Sequence, residues 1–229
     1  MRMPHDATFF WKCLWLLSVV LRPLCSRGRV YGREHVPKTG GVVLAGNHNM
    51  GPDFVIIGHA CPRQVYYMAK REAFEVHPLL SRFLHAVGTF PVDRGRRDMS
   101  AFAAGLDLLR DGHVIGMFPE GTRSRTGALQ RGKSGAVRMA MEAQVPILPV
   151  AVVNSPAVMK GFLRFPKPVV TVRFGAAFMP EGRPDDTEAV RRNTVRTMQS
   201  IAALLPPEMR GPYGEKAEAM TAEEEPADA

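Results

Sequence analysis

Val42-Val43-Leu44-Ala45-Gly46-Asn47-His48-Asn49-Met50-Gly51-Pro52-Asp53-Phe54-Val55-Ile56-Ile57-Gly58-His59-Ala60, residues 42–60, is the stretch that decides the fold. The apolar run 42–45 follows the turn signal Lys38-Thr39-Gly40-Gly41 and reads as a buried strand. Residues 46–53 are polar and broken by Gly51-Pro52, and the apolar residues that resume at Phe54 begin a helix. The same alternation continues outward. Residues 65–69 read as a strand, 70–85 as a mixed stretch with Leu79, Leu80, Phe83 and Leu84 at helical spacing, and 89–92 as a short strand. Residues 99–110 read as a helix stopped by Asp111-Gly112, and 113–118 as a strand running into Pro119. Beyond these lie a helix at 134–143, a strand at 145–153 whose Pro146 and Pro149 put it at an edge or end, a strand at 169–174 and a helix at 187–205. Strands alternating with helices predict an α/β fold, a single domain with a mixed, largely parallel sheet flanked by helices and with functional loops at strand ends. The expected organisation is an N-terminal membrane-interface helix in 1–26, the α/β domain in 27–210 and an acidic, disordered tail in 211–229. There is no internal repeat.

Charge is unevenly spread. The chain carries +8 overall, yet residues 215–229 carry −5, which leaves +13 on the rest. A body this basic meets polyanions readily: nucleic acid, an anionic bilayer face or phosphorylated substrates. Cys13, Cys25 and Cys61 are odd in number, form no Cys-x-x-Cys pair and have no histidine cluster beside them. They read as free thiols in a reducing compartment, with neither a disulfide framework nor a metal site.

Residues 9–21 are apolar apart from Lys12 and Ser18, and Arg22-Pro23 ends the run. As a helix they reach roughly 20 Å, against a hydrocarbon core of roughly 30 Å. At helical spacing Phe9, Phe10, Cys13, Leu16, Leu17, Val20 and Leu21 share one face, while Thr8, Lys12, Ser18 and Arg22 share the other, with Trp11 and Trp15 beside them. Such a helix suits the headgroup region of a cytoplasmic membrane face, indoles at the wet boundary, which makes the protein peripheral or monotopic. The alternatives are a buried core helix and a cleaved signal peptide, although Arg22-Pro23-Leu24-Cys25 offers no small-residue cleavage pair.

Three loops have chemistry in them. In the first, the Gly51-Pro52 break lets the chain turn so that Asp53 folds back on His48. A carboxylate on one ring nitrogen fixes the tautomer and leaves the other free to take a proton from a hydroxyl. Equally, Asp53 reads as an N-cap for the helix from Phe54, with His48 an ordinary loop histidine. The second loop, Phe118-Pro119-Glu120-Gly121-Thr122-Arg123-Ser124-Arg125, offers guanidiniums, hydroxyls and a close-approach glycine, as a phosphate cradle or a solvated basic turn would. The third is Gly88-Thr89-Phe90-Pro91-Val92-Asp93-Arg94, where Arg94 adds a phosphate contact or pairs with Asp93 or Asp98.

Taken together and in order, these pieces resemble the lysophosphatidic acid acyltransferase family, which makes phosphatidic acid. Asn47-His48 with Asp53 is similar to its His-x-x-x-x-Asp block, 88–94 to its second, 118–124 to its third and Val145-Pro146-Ile147-Leu148-Pro149-Val150 to its fourth. Gly32, Glu34, Pro37, Lys70 and Phe74 also fit, so the resemblance covers about residues 30–175. It implies an acyl-CoA or acyl-carrier-protein donor, a lysophospholipid acceptor, no cofactor and no metal. It further implies His48 as base, Asp53 as its orienter, and Arg94, Glu120, Gly121, Thr122 and Arg123 at the acceptor phosphate. Asn47, Lys70, Lys133, Val145 and Pro146 become acyl-side or supporting residues. The first and third blocks carry most of the specificity.

Gly127-Ala128-Leu129-Gln130-Arg131-Gly132-Lys133-Ser134 fits the nucleotide phosphate-loop pattern but is preceded by Arg123-Ser124-Arg125-Thr126 instead of a buried strand. Nucleotide hydrolysis is set aside, and Lys133 reads as a charge near the phosphate or as a surface lysine. A non-catalytic reading remains, a basic membrane-surface binder. Nucleic acid is not expected, since no stacking aromatics sit among the basic residues. Within the enzyme reading, the alternative is another lysophospholipid or lipid hydroxyl as acceptor.

Overall fold

The computed structural model describes residues 7–86, 88–92, 99–163 and 165–214. In chain order they form α1 (Phe9–Cys25), β1 (Arg27–Tyr31), β2 (Val42–Gly46), α2 (Asp53–Ala60), β3 (Val65–Lys70), α3 (Arg71–Glu75), α4 (Pro78–Ala86), β4 (Thr89–Val92), α5 (Met99–Arg110), β5 (Val114–Met117), α6 (Gly135–Ala143), β6 (Ile147–Val153), α7 (Val158–Gly161), β7 (Val169–Phe174) and α8 (Thr187–Ala203). One sheet has the order β1-β7-β6-β2-β5-β3-β4, parallel at every pairing except β6 with β7. This is the predicted α/β fold.

Every residue of β2 is buried because the strand sits mid-sheet between two helical layers. Successive side chains alternate between the layers. Val43 and Ala45 pack into a core with residues of α5, α6 and α8, while Val42 and Leu44 pack with Ile57 and Ala60 of α2. The helix ends are built locally. Asp186 caps α8 by accepting from the Glu188 and Ala189 N–H groups (2.9 and 3.1 Å). Gly112, at φ +84°, stops α5: its N–H donates to Leu109 O and that of His113 to Leu108 O.

Three features depart from the sequence reading. β6 is an interior strand, not an edge, despite its prolines. Pro146 precedes the strand, and Pro149 turns toward β7 where β7 has already ended at Phe174. No ladder partner there requires an N–H from Pro149, and its carbonyl still accepts from Gly175 N (2.9 Å). Residues 27–31 form an edge strand that escapes a pattern search, since only Val30 is even half-buried.

The third departure concerns α1, which runs through Pro23 to Cys25, with Ser26 N–H donating to Arg22 O to close its last turn. Its tryptophans face the domain and not a wet boundary. Trp15 is buried, stacks on His59 (centroids 5.7 Å apart) and donates from Nε1 to His59 O (3.3 Å). Trp11 lies over Gly58, where a Cβ would come within 2.7 Å of the indole. A tryptophan is amphipathic by itself, so helical position alone does not say whether its ring seeks lipid or protein. The opposite face, with Phe9, Phe10, Cys13, Leu16, Leu17, Val20 and Leu24, is exposed. Among the described residues no helix is long and apolar enough to cross a membrane. The body continues past residue 210, because Tyr213 Oη accepts from Gly132 N (3.1 Å); residues 215–229 lie outside the described part.

Candidate active site

Three adjacent parallel strands, β6, β2 and β5, end at one edge of the sheet, where loops of α/β proteins bind ligands. The loop after β2 brings His48, the loop after β5 brings residues 118–125, and the turn after β6 brings Ser155.

The center of the arrangement is Asp53, which is completely buried. Its Oδ2 accepts from His48 Nδ1 (2.8 Å) and from Asn49 N (2.8 Å), and its Oδ1 accepts from Ser155 Oγ. The N-cap alternative fails, since α2 has no side-chain cap bond and its first amides donate to Pro52 O. A carboxylate can only accept, so the proton between Asp53 and His48 belongs to Nδ1. In the neutral ring this leaves the lone pair on Nε2. The ring is held on its face as well, stacked on Phe118 at 4.0 Å with 14° between planes, and Phe118 in turn stacks on Tyr67.

Asn47 continues the sheet with its side chain: Nδ2 donates to Val152 O (3.0 Å) and Oδ1 accepts from Val152 N (2.7 Å). Asn49 Nδ2 donates to the same carbonyl (3.1 Å). Glu120 is buried and spent on backbone, Oε1 accepting from His48 N (2.6 Å) and Oε2 from Gln130 N (2.9 Å). Burial pushes its carboxyl up, against the lowering effect of those amides. Glu120 is thus a brace between the two loops, not a phosphate contact as the resemblance implied. Ser124 N–H donates to His48 O (2.7 Å), a second tie between them.

His48 lines a cleft of about 820 Å³ with Met50, Thr122, Arg123, Ser124, Arg125, Thr126 and Gln130. Two guanidiniums and several hydroxyls with no carboxylate among the lining residues make it a site for an anion. Gly121, at φ +72°, lies under Lys133, whose Nζ would stand 2.9 Å from a Cβ there. The lysine thus flanks the cradle. A second, apolar cavity of about 410 Å³ lies between α1, α2 and α4, lined by Trp11, Trp15, Leu17, Phe54, Tyr67 and Leu84 among others. Tyr67 and the ring stack link it to His48.

Not every expected residue joins the site. Val145 and Pro146 precede β6 at the opposite edge of the sheet, Val145 packing against Gly41 at the start of β2. Lys70 ends β3, and its side chain is outside the described part, as is the whole of Arg94. Asn49, Phe118, Gln130 and Ser155 were missed. Ser155 comes from 102 residues beyond Asp53 in sequence, with no local pattern to flag it. Among the described residues no three His, Cys, Asp or Glu side chains gather as a metal site would need.

Residues 27–153, which hold both loops and their three strands, match the family described as Acyltransferase. The chain belongs to the acyltransferase family. It is similar to the 1-acyl-sn-glycerol-3-phosphate acyltransferase of Bacillus subtilis, 34% identical over 140 residues, covering 61% of this chain and 68% of that protein. The like-named protein of Borreliella burgdorferi is 37% identical over 147 residues, covering 62% and 54%. The match thus spans about half to two thirds of these relatives. In three dimensions this acyltransferase resembles the crystal structure of the 1-acyl-sn-glycerophosphate (LPA) acyltransferase PlsC from Thermotoga maritima, with a TM-score of 0.65 and 19% identity, covering 93% of this chain and 80% of that one. At that identity the likeness speaks for the fold.

Proposed function

We propose that this acyltransferase moves a fatty acyl group from the thioester of acyl-CoA or acyl-carrier protein to the free hydroxyl of 1-acyl-sn-glycerol 3-phosphate, giving phosphatidic acid. The observation that carries the reading is the oriented His48–Asp53 pair facing a basic cleft. His48 Nε2 takes the hydroxyl proton as the alcohol oxygen attacks the thioester carbonyl. The tetrahedral adduct then collapses by breaking its C–S bond, and the imidazolium returns the proton to the leaving thiolate. Asp53 holds the tautomer and stabilises the imidazolium in between. No protein nucleophile is needed.

Arg123, with Thr122, Gly121 and the Lys133 beside it, suits the acceptor phosphate, and Arg94 is proposed to add to it. The apolar cavity behind Tyr67 suits a fatty acyl chain. The exposed aliphatic face of α1 and the +13 body suit attachment to the cytoplasmic face of an anionic membrane, from which the lysolipid would be drawn. The names of the relatives support the acceptor. A panel of lysolipids offered to the purified protein with each donor type tests the assignment. Preferred transfer to lysophosphatidic acid is expected, and preference for an acceptor without a phosphate monoester would overturn it.

A further inference from the structure

Beyond α1, a second apolar surface lies on the short helix α7 and the chain that follows it. Met159, Phe162, Leu163 and Phe165 are 72%, 66%, 89% and 90% exposed. Single exposed apolar residues are ordinary, but four large ones within seven positions are a patch with a purpose. The segment is organised: Lys167 folds back so that Nζ donates to Gly161 O and Phe162 O (3.1 Å each), while Leu163 N–H donates to Lys160 O (3.3 Å). These bonds satisfy the backbone at the root and leave the side chains outside.

This patch is next to the exposed face of α1. α7 packs on the last turn of α1 so closely that a Cβ on Gly161 would overlap Cys25 O. Leu24 and Val20, exposed on that end of α1, extend the apolar surface toward Phe9 and Phe10. The surrounding charge has one sign. Residues 7–33 and 154–180 contain no aspartate or glutamate, and Lys160, Arg27 and Arg29 are exposed beside the patch. Apolar tips ringed by cations suit an anionic bilayer, where the tips enter the acyl boundary and the cations meet the headgroups. A protein partner would leave the one-sided charge unexplained.

We propose that the exposed apolar residues Met159, Phe162, Leu163 and Phe165, on and just after α7, are a second membrane-inserting element, seated in the same bilayer as α1. The proposal rests on the membrane reading of α1 and goes further, giving the protein two contacts that fix its orientation. The root of the element has a consequence for the site. Two residues separate Ser155, which holds Asp53, from the start of α7, so the seated segment and the His48–Asp53 pair share one short stretch of chain.

The test uses the full chain with vesicles of phosphatidylethanolamine and phosphatidylglycerol. In a Leu163→Trp variant, acyl chains brominated near the headgroup should quench the added tryptophan beyond the wild-type signal, since Trp11 and Trp15 pack on the domain. A Leu163→Ser, Phe165→Ser variant should bind the vesicles about a hundredfold more weakly, each lost side chain being worth roughly tenfold. Its turnover of a monomeric short-chain lysolipid should be unchanged. Vesicle binding by the wild type with no added quenching, or unchanged affinity in the serine variant, would overturn the second contact and leave α1 as the anchor. Wild-type chain that does not bind vesicles would overturn both. Self-association that the serine substitutions abolish while vesicle affinity is kept would make the patch a protein interface.

Discussion

Ser155 donates the third hydrogen bond into a carboxylate that has no access to water, so its removal leaves an Asp53 lone pair unsatisfied in the core. Such a loss costs about 1–3 kcal/mol. Ser155→Ala is therefore expected to lower both the melting temperature and kcat, by roughly tenfold for the latter, with little change in either KM; unchanged kcat would detach Ser155 from the chemistry. Arg123 lines the cleft without a structural bond of its own among those described. Arg123→Ala should raise the acceptor KM much more than the donor KM, a charge-assisted contact to phosphate being worth about 1.5–3 kcal/mol. Equal rises would move Arg123 away from the phosphate. At this scale His48 and Asp53 are legible through the resemblance, since spacing alone left Asp53 open as a helix cap, and the structure pairs them across the Gly51-Pro52 break. Glu120 was visible as a residue but not as a role: the motif places a carboxylate there, and only geometry reveals that both oxygens are taken by the His48 and Gln130 amides. Ser155 is invisible in sequence because proximity across the sheet creates it.

α1 is joined to the domain through His59, which no proposed step uses. Burial, then the charges of Arg22 and Arg33, hold its imidazole down to about 4, and Ser18 Oγ lies at Nδ1 while Nε2 is buried with no partner among the described residues. With the folded value below the ordinary 6.5, the unfolded chain binds the extra proton first. The contribution to stability is fully present above pH 6.5 and is lost as pH falls toward 4. Thermal melts across that window should show falling stability, and His59→Gln should flatten the slope. If the slope survives in that variant, another group is responsible. The elements themselves were largely legible, since interior strands are continuous apolar runs and most helices have periodic faces. What failed was context. β1 is an exposed edge strand with little apolar pattern, β6 contains a proline that only the end of β7 makes tolerable, and the Trp11–Trp15 side of α1 binds protein because Gly58 leaves room for an indole.

For the whole molecule the basic body, the exposed face of α1 and the exposed apolar residues Met159, Phe162, Leu163 and Phe165 are what the membrane proposal rests on. Because α1 covers α2 and His59, deleting it would disturb the domain, and Leu16→Ser with Val20→Ser on the exposed face is the cleaner probe. That pair should weaken vesicle binding about tenfold or more at unchanged melting temperature. High salt should release the wild type only in part, since screening removes the electrostatic attraction and spares apolar burial; complete release by salt alone would argue against insertion. Charge and amphipathicity suggest this orientation in the sequence alone, whereas which face of α1 meets the domain was not legible there. The central claim is that His48, oriented by Asp53, is the base in acyl transfer. The most direct measurement is the turnover of a His48→Ala variant whose melting temperature and circular dichroism match the wild type. General-base assistance is typically worth ~10²- to 10⁴-fold, so a loss of kcat in that range is predicted. Near-wild-type turnover by the folded variant would contradict it.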